Sequence, residues 1–272
     1  MLKKISPFLF AFIFVQCASD KTTELTPSSR EAPTNLEILA TELLHKAYER
    51  ESAKLEIQEL EKLDPSQLEI QLTTDAKKMA FWVNLYNAQV QLQLQKDSAQ
   101  FNDRNAFYKN PNLIVAGLKL SLDEIEHIIL RRSKGKYSLG YIPALFSSTH
   151  SKTWRVESVD WRIHFALNCG AKSCPPIAFY RSDRLSEQFN VASRNYLLNS
   201  VDLNIEPLGI PKLFLWFRAD FGGAKGITKI LQKFGGIEQN RAKDWQYLPY
   251  DWELDLNQWY APGALIEAPQ IK

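Results

Sequence analysis

The chain has 272 residues, of which 45% are hydrophobic and 12% aromatic, a composition typical of a globular protein. Its 33 basic and 31 acidic residues give a formal net charge of +2. This balance lacks the strongly basic footprint of a nucleic-acid-binding protein, so no nucleic-acid partner is expected.

The first residues have the features of an export signal. Lys3 and Lys4 precede an apolar run, Pro7 to Val15, that is shorter than the about 20 residues a membrane-spanning helix needs. The segment resembles a bacterial lipoprotein signal, in which Cys17 becomes the lipidated first residue of the mature chain. The resemblance implies a signal peptide over residues 1–16 and a lipid anchor in the membrane. The protein would then be exported and held in the cell envelope, at the outer membrane or the periplasmic face.

A tether and one domain are predicted after the signal. Residues 17–34 are rich in Ser, Thr, Pro and charge and contain almost no apolar residue, which predicts a disordered tether behind the lipidated cysteine. Residues 35–272 are long enough for a single globular domain with a sizeable core.

Helices are predicted in the first half of this domain. Leucines at helical spacing predict a helix over residues 35–63, and a second helix runs from a cap at residues 73–75 to about Lys96. The second helix is apolar around most of its circumference and therefore belongs in the centre of the domain. On its polar stripe, we expect Asn84 and Asn87 to be buried and either to line a cleft or to cap neighbouring backbone.

The rest of the chain mixes helices and strands. Ser121 and Glu124 form a capping box for a third helix, and Asp183 is expected to cap a later one. Alternating residues over 159–167 and the apolar run 213–217 predict two strands, with His164 on the less apolar side of the first. The predicted fold class is α+β, with a helical first half packed on a small, mostly antiparallel sheet.

Five sequence blocks stand out, in this order: FWVNLYNA (81–88), LSLDEIEH (120–127), IHFALNCGAKSCPPI (163–177), LWFRADFG (215–222) and YDWELD (250–255). Together they resemble a known family, domain of unknown function 547. The resemblance spans about residues 75–255 and indicates the fold better than the function, because the family's role is unsettled. A looser resemblance links the pattern to transglutaminase-like or papain-like cores, although the central helix lacks their cysteine.

The segment HFALNCGAKSCPP, residues 164–176, allows three interpretations. A thiol enzyme would use Cys174 as nucleophile, His164 as general base and Asp220 or an Asn amide to orient it, for acyl transfer or amide hydrolysis. Alternatively, Cys169 and Cys174 form a disulfide, as an even pair of exported cysteines usually does. A zinc site would need further ligands at the usual spacing, so no metal and no cofactor are predicted.

These residues are expected to meet in one cleft, together with five pocket-lining residues: Asn84, Asn87, His127, Cys169 and Arg162. A free Cys174 would make the cleft an enzyme site. A disulfide would instead favour a non-catalytic envelope scaffold or binding module, with a peptide or an envelope protein as its ligand. Four tryptophans are expected to belong to the core rather than to a carbohydrate platform: Trp82, Trp161, Trp216 and Trp252.

Overall fold

The structure is a computed structural model that describes residues 34–144, 149–261 and 263–265. The predicted signal peptide, Cys17 and the predicted tether up to residue 33 lie outside these residues. The described residues of the domain belong to one compact unit.

The described α-helices are α1 (Leu36–Glu49), α2 (Lys54–Lys62), α3 (Pro65–Gln71), α4 (Asp75–Lys96), α5 (Arg104–Lys109), α6 (Thr149–Trp154), α7 (Leu185–Ser200), α8 (Leu213–Trp216) and α9 (Gly223–Gly235). Wider or tighter helical turns occur at a π-helix (Glu124–Leu130) and at three 3-10 helices (Ser98–Asp103, Trp161–Phe165 and Arg241–Lys243). The strands are β1 (Leu113–Val115), β2 (Leu118–Leu120), β3 (Leu208–Ile210) and β4 (Trp245–Tyr247). β1 and β2 pair antiparallel, whereas β3 and β4 pair parallel.

Helix α4 lies at the centre of the domain, as its composition predicts. The Thr74 hydroxyl accepts a hydrogen bond from the Lys77 N–H and caps its first turn. Most of its side chains are buried on all sides, and α1 packs against it through Leu36, Leu39, Leu43 and Leu44. The α+β class is therefore confirmed, with a helical first half and two small sheets.

The predicted helix over residues 35–63 is wrong in one respect, because it is two helices. Arg50 adopts the left-handed conformation, with φ 57°, and ends α1. The next N–H, of Glu51, donates to the Lys46 carbonyl at 2.9 Å, which closes the helix end with main-chain hydrogen bonds. Hydrophobic spacing continues across this turn, so periodicity alone does not reveal it.

Both predicted strands are short helices instead. Residues 161–165 form a 3-10 helix whose Asp160 side chain accepts from the Arg162 N–H at 3.0 Å, and residues 213–216 form α8. In the 3-10 helix, Ile163 packs into the main hydrophobic core and Phe165 into a second one around α8 and α9. Because apolar side chains are buried on several sides of this segment, the alternation of apolar and polar residues does not indicate a strand with one buried face.

Of the two caps predicted for the later helices, one is confirmed and one is wrong. The capping box is confirmed, since the Ser121 N–H donates to the Glu124 carboxylate and the Glu124 N–H to the Ser121 hydroxyl, each at 3.1 Å. Asp183 does not cap α7, because its carboxylate accepts from the Arg181 guanidinium at 2.8 Å, and α7 begins without a side-chain cap. None of the helices in the described part of the chain is long and apolar enough to cross a membrane.

Candidate functional site

A cleft of about 690 Å³ opens between segments that are distant in sequence. The π-helix, α5, the loop with the two cysteines, α8 and residues 250–252 each contribute to its lining. This volume is in the range of clefts that hold a small molecule or the end of a peptide.

The two cysteines form one wall of the cleft and are joined by a disulfide, as one of the three interpretations predicts. The Cys169 N–H donates to the Cys174 sulfur at 3.0 Å, and the Tyr250 hydroxyl lies 3.1 Å from the same sulfur. The Tyr108 hydroxyl donates to the Cys169 carbonyl at 2.6 Å and holds the other end of the loop. In this oxidised form, neither cysteine offers a free thiol to the cleft.

His164 lines the cleft and is oriented by Asp220, whose Oδ2 lies 2.9 Å from the imidazole Nε2. The ionised carboxylate only accepts hydrogen bonds, so Nε2 carries the proton. Burial lowers the pKa of His164 to about 4, although the Asp220 carboxylate acts against that shift. The imidazole is therefore neutral at pH 7, and its ring stacks on Phe217 with 3.8 Å between centroids.

Asp220 has a fully buried side chain and binds three groups at once. Besides His164, it accepts from Arg131 Nε at 2.6 Å and from Lys134 Nζ at 2.9 Å. Burial opposes ionisation, but the hydrogen bonds from His164 and Arg131 hold the pKa of Asp220 well below its usual range. The structure thus brings the predicted pair of His164 and Asp220 together around an arginine that the sequence did not single out.

His127 lies one residue after Glu126 on the π-helix and also lines the cleft. Its Nδ1 lies 2.9 Å from Arg131 Nη1, and because a guanidinium only donates, Nδ1 is the acceptor and the proton is on Nε2. Burial and the neighbouring Arg131 hold the pKa of His127 well below its ordinary value, so the ring is neutral. The Arg131 N–H donates to the Glu126 carbonyl and closes the wider turn of the π-helix. This turn places the side chains of Glu126, His127 and Arg131 side by side.

Glu126 is a cleft residue that the sequence analysis missed. Its side chain is 15% exposed, and its carboxyl group accepts a long hydrogen bond, 3.4 Å, from the Tyr86 hydroxyl. Burial raises the pKa of Glu126 to about 7, against a lowering by Arg131. The available signal was a single acidic residue inside the otherwise apolar run 125–130, next to His127.

Aromatic rings form another part of the cleft lining. Trp216 and Trp252 pack against the hydrophobic cores, as expected, but they also line the cleft. Both are half-buried and face the cleft, packed on Tyr250 with centroids 4.8 Å and 4.6 Å away. Arg104, also missed by sequence reasoning, stacks its guanidinium 4.6 Å from the centre of the Trp252 ring. No sequence signal links Arg104 with Trp252, because they meet only through the fold.

Three predicted pocket residues lie elsewhere. Asn84 and Asn87 are fully buried and cap backbone instead, since Asn84 pairs with both main-chain groups of Tyr180 at 2.8 Å and 3.0 Å. Asn87 donates to the Ala166 carbonyl and accepts from the Asn168 N–H, both at 2.9 Å. These bonds fasten the disulfide loop to α4.

Arg162 lines a separate groove, and its guanidinium contacts Asp160 at 2.6 Å and Asn190 at 2.8 Å. Within the described ranges, no group of three or more His, Cys, Asp or Glu side chains is arranged to hold a metal ion.

Comparison with known proteins finds one family. The family described as "Protein of unknown function, DUF547" matches residues 70–197, which include α4, the π-helix, His164 and both bonded cysteines. The resemblance expected from about residue 75 is thus confirmed as far as residue 197, and the blocks at 215–222 and 250–255 lie beyond the matched range. No curated protein and no solved structure matches the chain, and the likeness to transglutaminase-like or papain-like cores stays a prediction.

Proposed function

We propose, from the cleft itself, that this is a ligand-binding domain of an exported, lipid-anchored envelope protein. The family that matches residues 70–197 is described as being of unknown function and supplies no activity. The observation that carries the proposal is the Cys169–Cys174 disulfide in the wall of the cleft. It occupies the Cys174 thiol that a cysteine enzyme would use as its nucleophile, and it fixes the loop that shapes the cleft.

The lining of the cleft supports recognition. Ligand-binding clefts combine apolar and aromatic surface with a few polar groups that set orientation. Here the aromatic side is formed by Trp216, Tyr250 and Trp252, and the polar groups include Glu126 and Arg104. Most of these side chains are held in place by neighbours, so the cleft exists before a ligand arrives.

The envelope location rests on the N-terminal sequence and on redox chemistry. Cys17 follows a segment that resembles a lipoprotein signal, and disulfides persist in exported proteins but are rare in the cytosol. The bonded Cys169–Cys174 pair fits an oxidising compartment, at the outer membrane or the periplasmic face. A peptide or an envelope protein is then an accessible ligand.

A second candidate function, thiol-dependent acyl transfer or amide hydrolysis, is favoured by the surroundings of the Cys174 sulfur. The Cys169 N–H and the Tyr250 hydroxyl, at 3.0 Å and 3.1 Å, could stabilise a thiolate if the disulfide were reduced. His164 would then be the base and Asp220 its orienting partner. This candidate requires a reduced form of the protein.

The thiol state distinguishes the two functions. We would purify the full-length protein from membranes, alkylate it under native conditions with a light reagent, and then reduce it and alkylate with a heavy reagent. Mass spectrometry of the peptide containing residues 164–176 should find the heavy label on both Cys169 and Cys174. A light label on Cys174 that the substitution His164→Ala suppresses would overturn the binding proposal in favour of the thiol enzyme.

A further inference from the structure

Arg104 is a cation of the cleft whose hydrogen-bonding edge has no acceptor in the part of the chain that the structure describes. Its side chain is half-buried, and its guanidinium lies over Trp252 at 4.6 Å and near the Phe101 ring at 5.6 Å. Among the described residues, no carboxylate and no carbonyl accepts a hydrogen bond from it. The neighbouring Asp103 carboxylate is engaged elsewhere, accepting from the Ala106 N–H at 3.0 Å.

The other arginines near the candidate sites differ from Arg104 in this respect. Arg131 is paired with Asp220 at 2.6 Å, and Arg162 contacts Asp160 at 2.6 Å. A guanidinium that stacks on an aromatic face keeps its N–H groups free at the edge, in the planar arrangement that matches a carboxylate. The contact with the Trp252 ring also restricts the Arg104 side chain before a ligand binds, which reduces the entropy lost on binding.

From this arrangement we propose, building on the ligand-binding function above, that the cleft binds a ligand with a carboxylate group, held by Arg104, and an apolar or aromatic part that lies on Trp216, Tyr250 and Trp252. Two sources supply this chemistry: the free C-terminus of a peptide, or a small organic acid.

Three acidic residues line the cleft, and two of them, Asp123 and Glu126, are compatible with an anion beside Arg104, while Asp103 caps the Ala106 N–H. Asp123 is neutralised by Lys136, whose Nζ lies 2.8 Å from both of its carboxylate oxygens. Burial raises the pKa of Glu126 to about 7, so near neutral pH a large fraction of this side chain is protonated and uncharged. A protonated carboxyl group can also donate a hydrogen bond to a bound carboxylate.

Matched acids and amides test the proposal by isothermal titration calorimetry on the full-length protein. The probes are phenylacetate against phenylacetamide, and the dipeptide Ala-Phe with a free C-terminus against its C-terminal amide. Arg104→Gln removes the charge, Arg104→Lys keeps the charge but loses the planar fork, and Arg184→Gln serves as control. Arg184 lies outside the cleft and pairs with Glu187 at 3.3 Å on α7.

We expect at least one acid to bind about tenfold or more tightly than its amide, because charge-assisted hydrogen bonds to a carboxylate are the strong ones. Arg104→Gln should abolish that preference, Arg104→Lys should keep part of it, and Arg184→Gln should leave it unchanged. Tighter binding of the dipeptide assigns the carboxylate to a peptide end, and tighter binding of phenylacetate to a small acid.

The proposal is overturned if neither acid binds more tightly than its amide, or if the Arg104→Gln variant still binds an acid more tightly than the amide. Either result leaves the disulfide-walled cleft and the thiol mapping untouched. A free Cys174 in the thiol mapping would instead remove the binding function on which the proposal rests.

Discussion

Asp220 is the residue that holds the charged cluster beneath the cleft together. Its side chain and that of Arg131 are both fully buried, 2.6 Å apart, and His164 depends on the same carboxylate for its orientation. Removing one member of a buried ion pair leaves the other charged and unpaired in the interior, which costs far more than the pair itself contributes.

We therefore expect Asp220→Asn to lower the free energy of unfolding by about 3–5 kcal/mol, measured by urea denaturation. The control is Asp251→Asn, because Asp251 pairs with Lys172 at 3.6 Å while about half of each side chain is exposed. An exposed pair contributes about 0–1 kcal/mol. Equal losses in the two variants would show that Asp220 does not stabilise the cluster as described.

A second prediction concerns the effect of Glu126 on how the stability of the fold depends on pH. Burial raises its pKa in the folded protein to about 7 from an ordinary 4.5, with Asp123 acting in the same direction and with Arg131 and Lys136 against it. Between these values the folded state binds more protons than the unfolded state, so this group destabilises the fold increasingly as pH rises from 4.5 to 7. Above pH 7 Glu126 is ionised in both states, and its full destabilising effect on the fold is present.

The substitution Glu126→Gln removes that titration while keeping the shape of the side chain. The melting temperature of the variant minus that of the wild type should therefore be larger at pH 8 than at pH 4.5. Thermal unfolding at both pH values measures this difference, and the other titrating groups cancel in the comparison. A difference that is unchanged or larger at pH 4.5 would contradict a raised pKa at Glu126.

At the scale of elements, α4 acts as the support to which the disulfide loop is fastened. Asn87 satisfies two buried main-chain groups of the loop, the Ala166 carbonyl and the Asn168 N–H. Asn84 does the same for Tyr180. Two poor helix formers in a central helix are thus explained by the backbone they pair with rather than by the cleft.

Asn87→Ala should destabilise the protein by about 3 kcal/mol, because two buried main-chain groups lose their partner. The control on the same helix is Gln95→Ala, since the half-buried Gln95 satisfies one main-chain group, the Ala47 carbonyl at 2.9 Å, besides a long hydrogen bond of 3.4 Å to the Gln91 side chain. Its loss should cost about 1 kcal/mol. Similar costs for both, measured by chemical denaturation, would mean that the loop is not held by Asn87.

The same elements show what could be predicted from the sequence. Two features could be predicted because their signals are local: the long apolar helix with its Thr74 cap, and the Ser121–Glu124 capping box. The disulfide followed from the count and the compartment of the cysteines. The short runs 159–167 and 213–217 were assigned wrongly as strands, because a few apolar residues buried on several sides fit a helical turn equally well.

The cysteines and histidines of the cleft were predicted from the sequence, but its aromatic and charged side could not be. Arg104 and Trp252 are far apart in sequence and meet only when α5 and the C-terminal segment pack together. Glu126 is adjacent in sequence to a predicted residue, His127, and Arg131 lies four residues after it, but their roles depend on burial and on the wide turn of the π-helix. Such contacts are properties of the tertiary structure.

At the scale of the whole molecule, the proposed anchor predicts where the protein is found. Replacing Cys17 by Ser removes the residue that would carry lipid, while the domain is left unchanged. We expect the wild-type protein in the membrane fraction and the detergent phase, and Cys17→Ser in the aqueous phase. If both proteins partition alike, the lipid-anchor proposal is wrong.

The central claim, that the disulfide-walled cleft is a ligand-binding site, is tested most directly by the indole N–H signals of the tryptophans in an NMR titration with phenylacetate. Trp216 and Trp252 line the cleft, whereas Trp82 and Trp154 stack on each other in the core, 6.0 Å between centroids, and serve as internal references. Single Trp→Phe variants assign the signals. The account predicts that the Trp216 and Trp252 signals move and saturate while those of Trp82 and Trp154 stay in place. Unmoved signals from the two cleft residues, or changes confined to the other tryptophans, would contradict it.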